Sequence, residues 1–287
     1  MIRTTLAALA PQFDAFVIDQ FGVLLNGIGA YTYAPLSLSR LAQLGKPILL
    51  LSNSGKRAVP NEARLTGLGF ARDAYLMVMS SGEAAHSALT HRIGASLPRG
   101  AKFWLHARDN DTSAVDGLDL TCVARPEQAD LLLLAGSQAD RISLTDYRAM
   151  LVPAAHRQTP LLCTNPDIEM LTTTGTHPGA GAIAQIYAAL GGPVEWIGKP
   201  HPLIYAEAAR RLSGIAADRI LCIGDSPAHD IAGGHAAGHK TALVRTGLHA
   251  GLSDDALADI CAADGMPDFI LSAFDLSQEE PWPSPSH

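Results

Sequence analysis

Charge is scarce in this chain, and one sign is scarcer than the other. Asp, Glu, Lys and Arg make up 17% of 287 residues, and 21 Lys and Arg stand against 28 Asp and Glu. A formal charge of -7 has the wrong sign for sequence-independent binding along a polyanion, which excludes nucleic acid as a general partner. Cysteine is also sparse: Cys122, Cys163, Cys222 and Cys261 lie far apart with no CxxC pair. A chain of this length builds its core without disulfide staples, so all four read as reduced thiols. Cys163 and Cys222, inside apolar runs, read as small buried hydrophobes, and no catalytic thiol is expected. No apolar stretch approaches the ~18 residues of a membrane span, and Asp14 interrupts the first apolar run too soon for a signal peptide. The expectation is a soluble, cytoplasmic chain with no membrane partner. Internal repeats are lacking, and the one biased tract is the polar, Pro-rich end Ser277 to His287, expected to fray.

Apolar residues are plentiful. At 47% hydrophobic the chain can bury a large core, and its length allows one large α/β unit or two domains. Short apolar runs recur: AFVI before Asp19, PILLLS before Asn53, AYLMVMS, KFWLHA, DLLLLAGS, TPLLCTN, VEWIG, RILCIGD and TALVRTG. Continuous apolar runs bounded by Gly, Asp or Asn suit strands buried on both faces of a parallel sheet. Between them, Leu203 to Leu212 and Ser143 to Ala155 repeat their apolar residues at helical spacing, as crossover helices do.

In an open parallel sheet, ligands sit beyond the carboxyl ends of the strands, so polar residues that close an apolar run are the first candidates for chemistry. Asp19, Ser52 with Asn53, Lys199, and Asp225 with Asp230 occupy such places. Singly, each also suits a helix cap or a solvated loop. Together, in that order, they are the parts needed to handle a phosphoryl group with a cation. A carboxylate can attack phosphorus and split one displacement into two. An oxygen-liganded divalent cation, with Mg²⁺ the best match, screens the repulsion between two anions, and Asp225 and Asp230 would help hold it. A hydroxyl and an ammonium can then grip the nonbridging oxygens. Gly22 would let the backbone turn sharply beside the nucleophile.

The order DxxGVLxxG, SN, GKPxPxxY and GDSxxxDIxGGxxAG resembles the haloacid dehalogenase (HAD) superfamily of hydrolases, and specifically subclass IIA, the 4-nitrophenylphosphatase and pyridoxal-phosphate phosphatase-like group. The resemblance runs from about residue 14 to about residue 250 and includes TNPD at Thr164 to Asp167. It implies a Rossmann-like parallel-sheet core with a smaller inserted α/β cap domain. It further implies Asp19 as nucleophile and metal ligand, Ser52 as phosphate-binding residue with Asn53 in the adjoining substrate loop, and Lys199 steadying Asp19 and the phosphoryl group. Asp225 would be a direct Mg²⁺ ligand, Asp230 would hold the water shell of the metal or Lys199, and the main-chain carbonyl of Phe21 would be a further ligand. The implied partner is a small phosphorylated metabolite, and caps of this subclass often mediate homodimers.

Spacing adds an architectural expectation. From Ser52 to Lys199 the chain carries far more than the ~30 residues of one βα crossover. The surplus predicts a cap at 83–177, a core at 1–82 and 178–287, and hinges at Ser80 to Gly82 and Gly175 to Gly179. One position departs from the family pattern. Most of its phosphatases read DxDGxL, with the second Asp as acid and base, and here that residue is Phe21. A phenyl ring transfers no proton, and losing a placed acid/base costs ~10²–10⁴-fold.

Three readings stand. The first is a phosphatase whose leaving group needs little protonation, or one using a substitute such as His201. The second is a haloacid-dehalogenase-type hydrolase, which needs neither acid nor metal and against which the intact GDSPAHD block argues. The third is a phospholigand-binding pseudoenzyme. Of the other histidines, His177 and His249 lie nearest the crevice in motif order.

Overall fold

A computed structural model of the chain describes residues 2–172 and 175–277. Most of the Pro-rich tail, 278–287, lies outside the described residues. The contacts divide the chain into two compact units, one of Met1–Ser52, Val59–Met79 and Tyr205–His287, the other of Asn53–Ala58 and Ser80–Ile204.

The first unit is built on a seven-stranded sheet. Its order is Ile2–Thr4, Phe269–Leu271, Lys240–Val244, Ile220–Gly224, Ala15–Asp19, Ile48–Ser52 and Met77–Ser80. The strand Ala15–Asp19 is central, parallel to both neighbours and buried along its whole length, as its unbroken apolar run requires. Successive side chains point to opposite faces, so Phe16, Ile18, Leu50, Ile223 and Val244 join a core with Leu38 and Leu41 of the helix Ala34–Ala42. On the other face Leu243 and Ile270 meet Leu257 and Cys261 of the helix Asp254–Asp264.

The second unit carries its own five-stranded sheet, in the order Val194–Trp196, Leu161–Cys163, Leu131–Leu134, Ala101–His106 and Leu120–Cys122, every neighbouring pair parallel. Leu132, Leu134, Leu161 and Cys163 form its core with Tyr147 and Leu151 of the helix Leu144–His156, and with Ile183 and Tyr187 of the helix Ala180–Ala189. Ser143 caps the first of these helices by accepting from the Asp146 N–H.

The sequence expectation ended the inserted region at residue 177, but the second unit continues to Ile204. The reason is pairing and packing: Val194–Trp196 hydrogen-bonds to Leu161–Cys163, and Ala180–Ala189 lies on the core of this sheet. The expected hinge at 175–179 is therefore not a linker. Gly175–Pro178 pairs antiparallel with Glu169–Thr172. At the other expected hinge, Ser80 accepts from the Glu83 N–H and starts the helix Ser81–Arg92. Cys163 and Cys222 are buried, as read, and so is Cys261, whereas Cys122 is exposed on an edge strand; none of the four is in a disulfide.

In the first unit one surface carboxylate ties the beginnings of two strands to a helix. Asp268 accepts from the Lys240 Nζ at 2.9 Å, the Thr241 N–H at 2.9 Å and the Thr241 hydroxyl at 3.2 Å, and its Oδ2 lies 3.1 Å from His235 Nε2. These partners outweigh the desolvation that opposes them and hold its carboxyl at about 2, below the ordinary 3.8. A depressed carboxylate stabilises the fold above its unfolded value, and the gain is lost as pH falls toward the folded value. Asp268→Asn is expected to cost about 1–2 kcal/mol at pH 7, after allowance for solvent screening. Chemical denaturation at a series of pH values should show the gap from wild type narrowing only below about pH 4.

Candidate active site

The parallel register of the first unit sets the carboxyl ends of three strands side by side. Asp19, last residue of its strand, is in register with Leu51, which places Ser52 one residue further along the neighbouring strand. On the other side Ile18 is in register with Ile223, so Gly224 and Asp225 follow at the same end. Asp19, Asp225 and Asp230 are all buried, and each offers a carboxylate oxygen within 4.8 Å of the others. Ser52 is buried as well.

Asp230 reaches this cluster because the chain after Asp225 is wound more loosely than an α-helix. In the turn Pro227–Ile231 the Ile231 N–H bonds back to the Ser226 carbonyl at 3.2 Å, a five-residue closure of the kind frequent at functional sites. The Ser226 N–H then donates to Asp230 Oδ2 at 3.1 Å. Gly22 is required beside Asp225: its φ is +77°, and a Cβ there would stand 2.0 Å from Asp225 Oδ2. The Thr246 hydroxyl fixes the same turn by donating to the Gly22 carbonyl at 2.5 Å.

Three buried carboxylates this close together make an all-oxygen donor set that fits a hard divalent cation such as Mg²⁺. Phe21, expected to contribute a carbonyl, presents a half-exposed ring with the Arg64 guanidinium 5.3 Å from its centroid. Arg64 also donates to Gln20 Oε1 at 2.7 Å.

Asn53 and Lys199 are brought together in the second unit. The Lys199 N–H donates to Asn53 Oδ1 at 2.7 Å, and Asn53 Nδ2 donates to the Lys199 carbonyl at 3.3 Å and to Asp167 Oδ1 at 2.8 Å. Both amide hydrogens of Asn53 are thus used on protein acceptors. Its side chain braces the Lys199 backbone. Asp167, the last residue of TNPD, acquires a role here that the sequence did not suggest. Lys199 itself is buried, 4% exposed.

The histidines go elsewhere. The His201 ring stacks on Trp196, with centroids 5.8 Å apart, and His177 lies in the strand Gly175–Pro178. Both belong to the second unit, whereas His249, in a turn of the first, is held below its ordinary value by burial. Sequence reasoning missed Thr246, Arg64 and Gly247, where a Cβ would stand 2.1 Å from Asp225 Oδ2. Thr246 bonds a main-chain carbonyl and Arg64 meets Gln20 and Phe21, and nothing in a motif announces such contacts.

Comparison with known proteins agrees with this geometry. A family model described as haloacid dehalogenase-like hydrolase matches residues 16–121, and a second HAD-hydrolase-like model matches 196–274. Chronophin of Rattus norvegicus is 33% identical over 255 residues, covering 83% of this chain and 78% of the relative. A haloacid dehalogenase-like hydrolase from Brucella suis superposes with a TM-score of 0.80 at 28% identity, covering 95% and 99% of the two chains. A glycerol phosphate phosphatase from Mycobacterium tuberculosis, crystallised with magnesium, superposes with a TM-score of 0.72 at 25% identity, covering 93% of this chain and 77% of its own.

The contact at Gly22 gives a direct test of the cluster geometry. Gly22→Ala is expected to lower stability by about 1–3 kcal/mol, through left-handed strain and the clash with Asp225, as read from the denaturation midpoint.

Proposed function

Because the chain belongs to the haloacid dehalogenase-like hydrolases, subclass IIA, we propose that it is a Mg²⁺-dependent phosphatase acting on a small phosphorylated metabolite through an aspartyl-phosphate on Asp19. The observation that carries this reading is the trio Asp19, Asp225 and Asp230, buried with carboxylate oxygens within 4.8 Å of one another. The magnesium-bound glycerol phosphate phosphatase supports the choice of cation and substrate class.

Asp19, Asp225 and Asp230 would hold the cation, together with the Phe21 carbonyl. When bound, Mg²⁺ supplies charge neutralisation to the transferring phosphoryl group and to the acids around it. A carboxylate oxygen of Asp19 attacks phosphorus, the bond to the leaving oxygen breaks, and the electron pair leaves with that oxygen. Ser52 donates to a nonbridging oxygen, and Lys199 supplies a positive charge to the phosphoryl group, its backbone held by Asn53. A water then attacks the phosphorus of the acyl phosphate, releasing phosphate and restoring Asp19.

Phe21 defines the limits of this chemistry. Its ring neither gives a proton to the leaving oxygen nor takes one from water, so the reading favours substrates whose leaving group departs with little protonation. The second unit serves as the cap that carries substrate specificity and a homodimer contact, and the protein works in the cytoplasm. Among the described residues no helix is long and apolar enough to cross a membrane.

Asp19→Asn should abolish phosphate release from a panel of phosphoesters and acyl phosphates while leaving the circular dichroism spectrum unchanged. A variant with full activity would exclude Asp19 as nucleophile. Phe21→Asp should raise turnover of alkyl phosphates over that of wild type, by up to ~10²-fold, while changing acyl phosphates little. EDTA should stop both reactions. Halide release from a haloacid that persists in EDTA would contradict the phosphatase reading.

A further inference from the structure

The second unit contains a cavity that the proposed catalysis does not use. It has a volume of about 560 Å³ and lies between the strand Ala101–His106, the loop at 124–127 and the helix Leu144–His156. That is within the ~300–1,000 Å³ usual for small-molecule sites. The space exists because the residues facing it are small or rigid: Ala124 and Pro126 on the loop, Ala149 and Pro153 on the helix.

Its inner wall is aromatic. Trp104 and His106 are two residues apart on one strand, so they share a face, and their rings stack with centroids 5.5 Å apart and planes at 14°. The His106 ring is held at one nitrogen: Nε2 lies 2.7 Å from the Tyr147 hydroxyl, which also accepts from the Gln138 N–H at 3.0 Å. Burial pushes the imidazole down to about 4, so it is neutral at physiological pH, one ring nitrogen a donor and the other an acceptor. With Nε2 engaged by Tyr147, Nδ1 is the ring nitrogen left to an occupant of the cavity that His106 lines.

An acceptor stands on the opposite wall. Pro153 lies inside the helix and has no N–H, so the Ala149 carbonyl, four residues back, lacks its usual donor. The one charged pair lining the cavity, Arg125 Nε with Glu127 Oε1 at 3.2 Å, is internally neutralised and favours an uncharged occupant. Met150 adds an adaptable apolar contact.

We propose that this cavity binds an uncharged, planar heteroaromatic molecule of nucleoside size, whose ring edge hydrogen-bonds to His106 Nδ1 and donates toward the Ala149 carbonyl. The site is independent of the phosphatase reading. Adenosine is the probe, titrated against the full-length protein with tryptophan fluorescence as readout. Saturable quenching with half-saturation below about 10 mM is expected. His106→Phe keeps an aromatic ring and removes the hydrogen-bonding nitrogen, and should raise the half-saturation about tenfold. Ala149→Phe, at an exposed helix position where folding is not at stake, should fill the cavity and abolish saturation. Near-UV circular dichroism confirms that both variants are folded. Quenching that never saturates in wild type, or saturation that Ala149→Phe leaves unchanged, overturns the proposal.

Discussion

The structure of the first unit turns on holding three carboxylates where they repel one another. At a separation of 4.8 Å or less, each pair of ionised acids costs about 3 kcal/mol or more at the effective dielectric of a protein site. Local devices make the arrangement tolerable. The Ser226 N–H bonds to Asp230, and the five-residue turn after Ser226 sets that acid in place. Glycines stand where any side chain would collide with the acids: Gly22 against Asp225, and Gly224, where a Cβ would stand 2.1 Å from Asp230 Cγ. Carboxylate oxygens gathered at one point are the donor set of a divalent-cation site and, through the cation, of the proposed phosphorylated substrate. The formal charge of -7 over the whole chain therefore does not oppose binding of a small phosphate.

Parallel topology is what makes such a cluster possible. Because neighbouring strands run the same way, their carboxyl ends coincide, and residues separated by about two hundred positions in sequence arrive side by side. The register at Asp19 with Leu51 and at Ile18 with Ile223 fixes which side chains meet. A slip of one residue would turn Asp19 toward the other face of the sheet.

Much of this was legible in the sequence, and for physical reasons. Runs such as ILLLS and ILCIG read as strands because a doubly covered sheet demands apolar residues on both faces, and Asp19, Ser52 and Asp225 stood out as the polar residues that end those runs. The unread parts carry weak signals. Ile2–Thr4, Phe269–Leu271 and Leu120–Cys122 are strands of three residues, the first and last at sheet edges. The end of the second unit was misplaced because Val194–Trp196 declares itself a strand but not which sheet it joins. That choice is made by pairing with Leu161–Cys163. The bonds of the Asn53 amide to Lys199 and Asp167, more than a hundred residues away in sequence, carry no sequence signal. The cavity beside His106 gives no motif at all, since it arises from small residues on three separate segments.

Within the second unit the Asn53 side chain holds the backbone of Lys199 from both sides, through its carbonyl oxygen and its amide. The central claim is that the phosphoryl group is transferred twice, first to Asp19 and then to water. The stereochemical course at phosphorus tests it most directly, with a substrate whose phosphoryl group is made chiral by oxygen isotopes. Two in-line displacements predict retention of configuration in the product, and inversion, the mark of a single attack by water, would contradict the account.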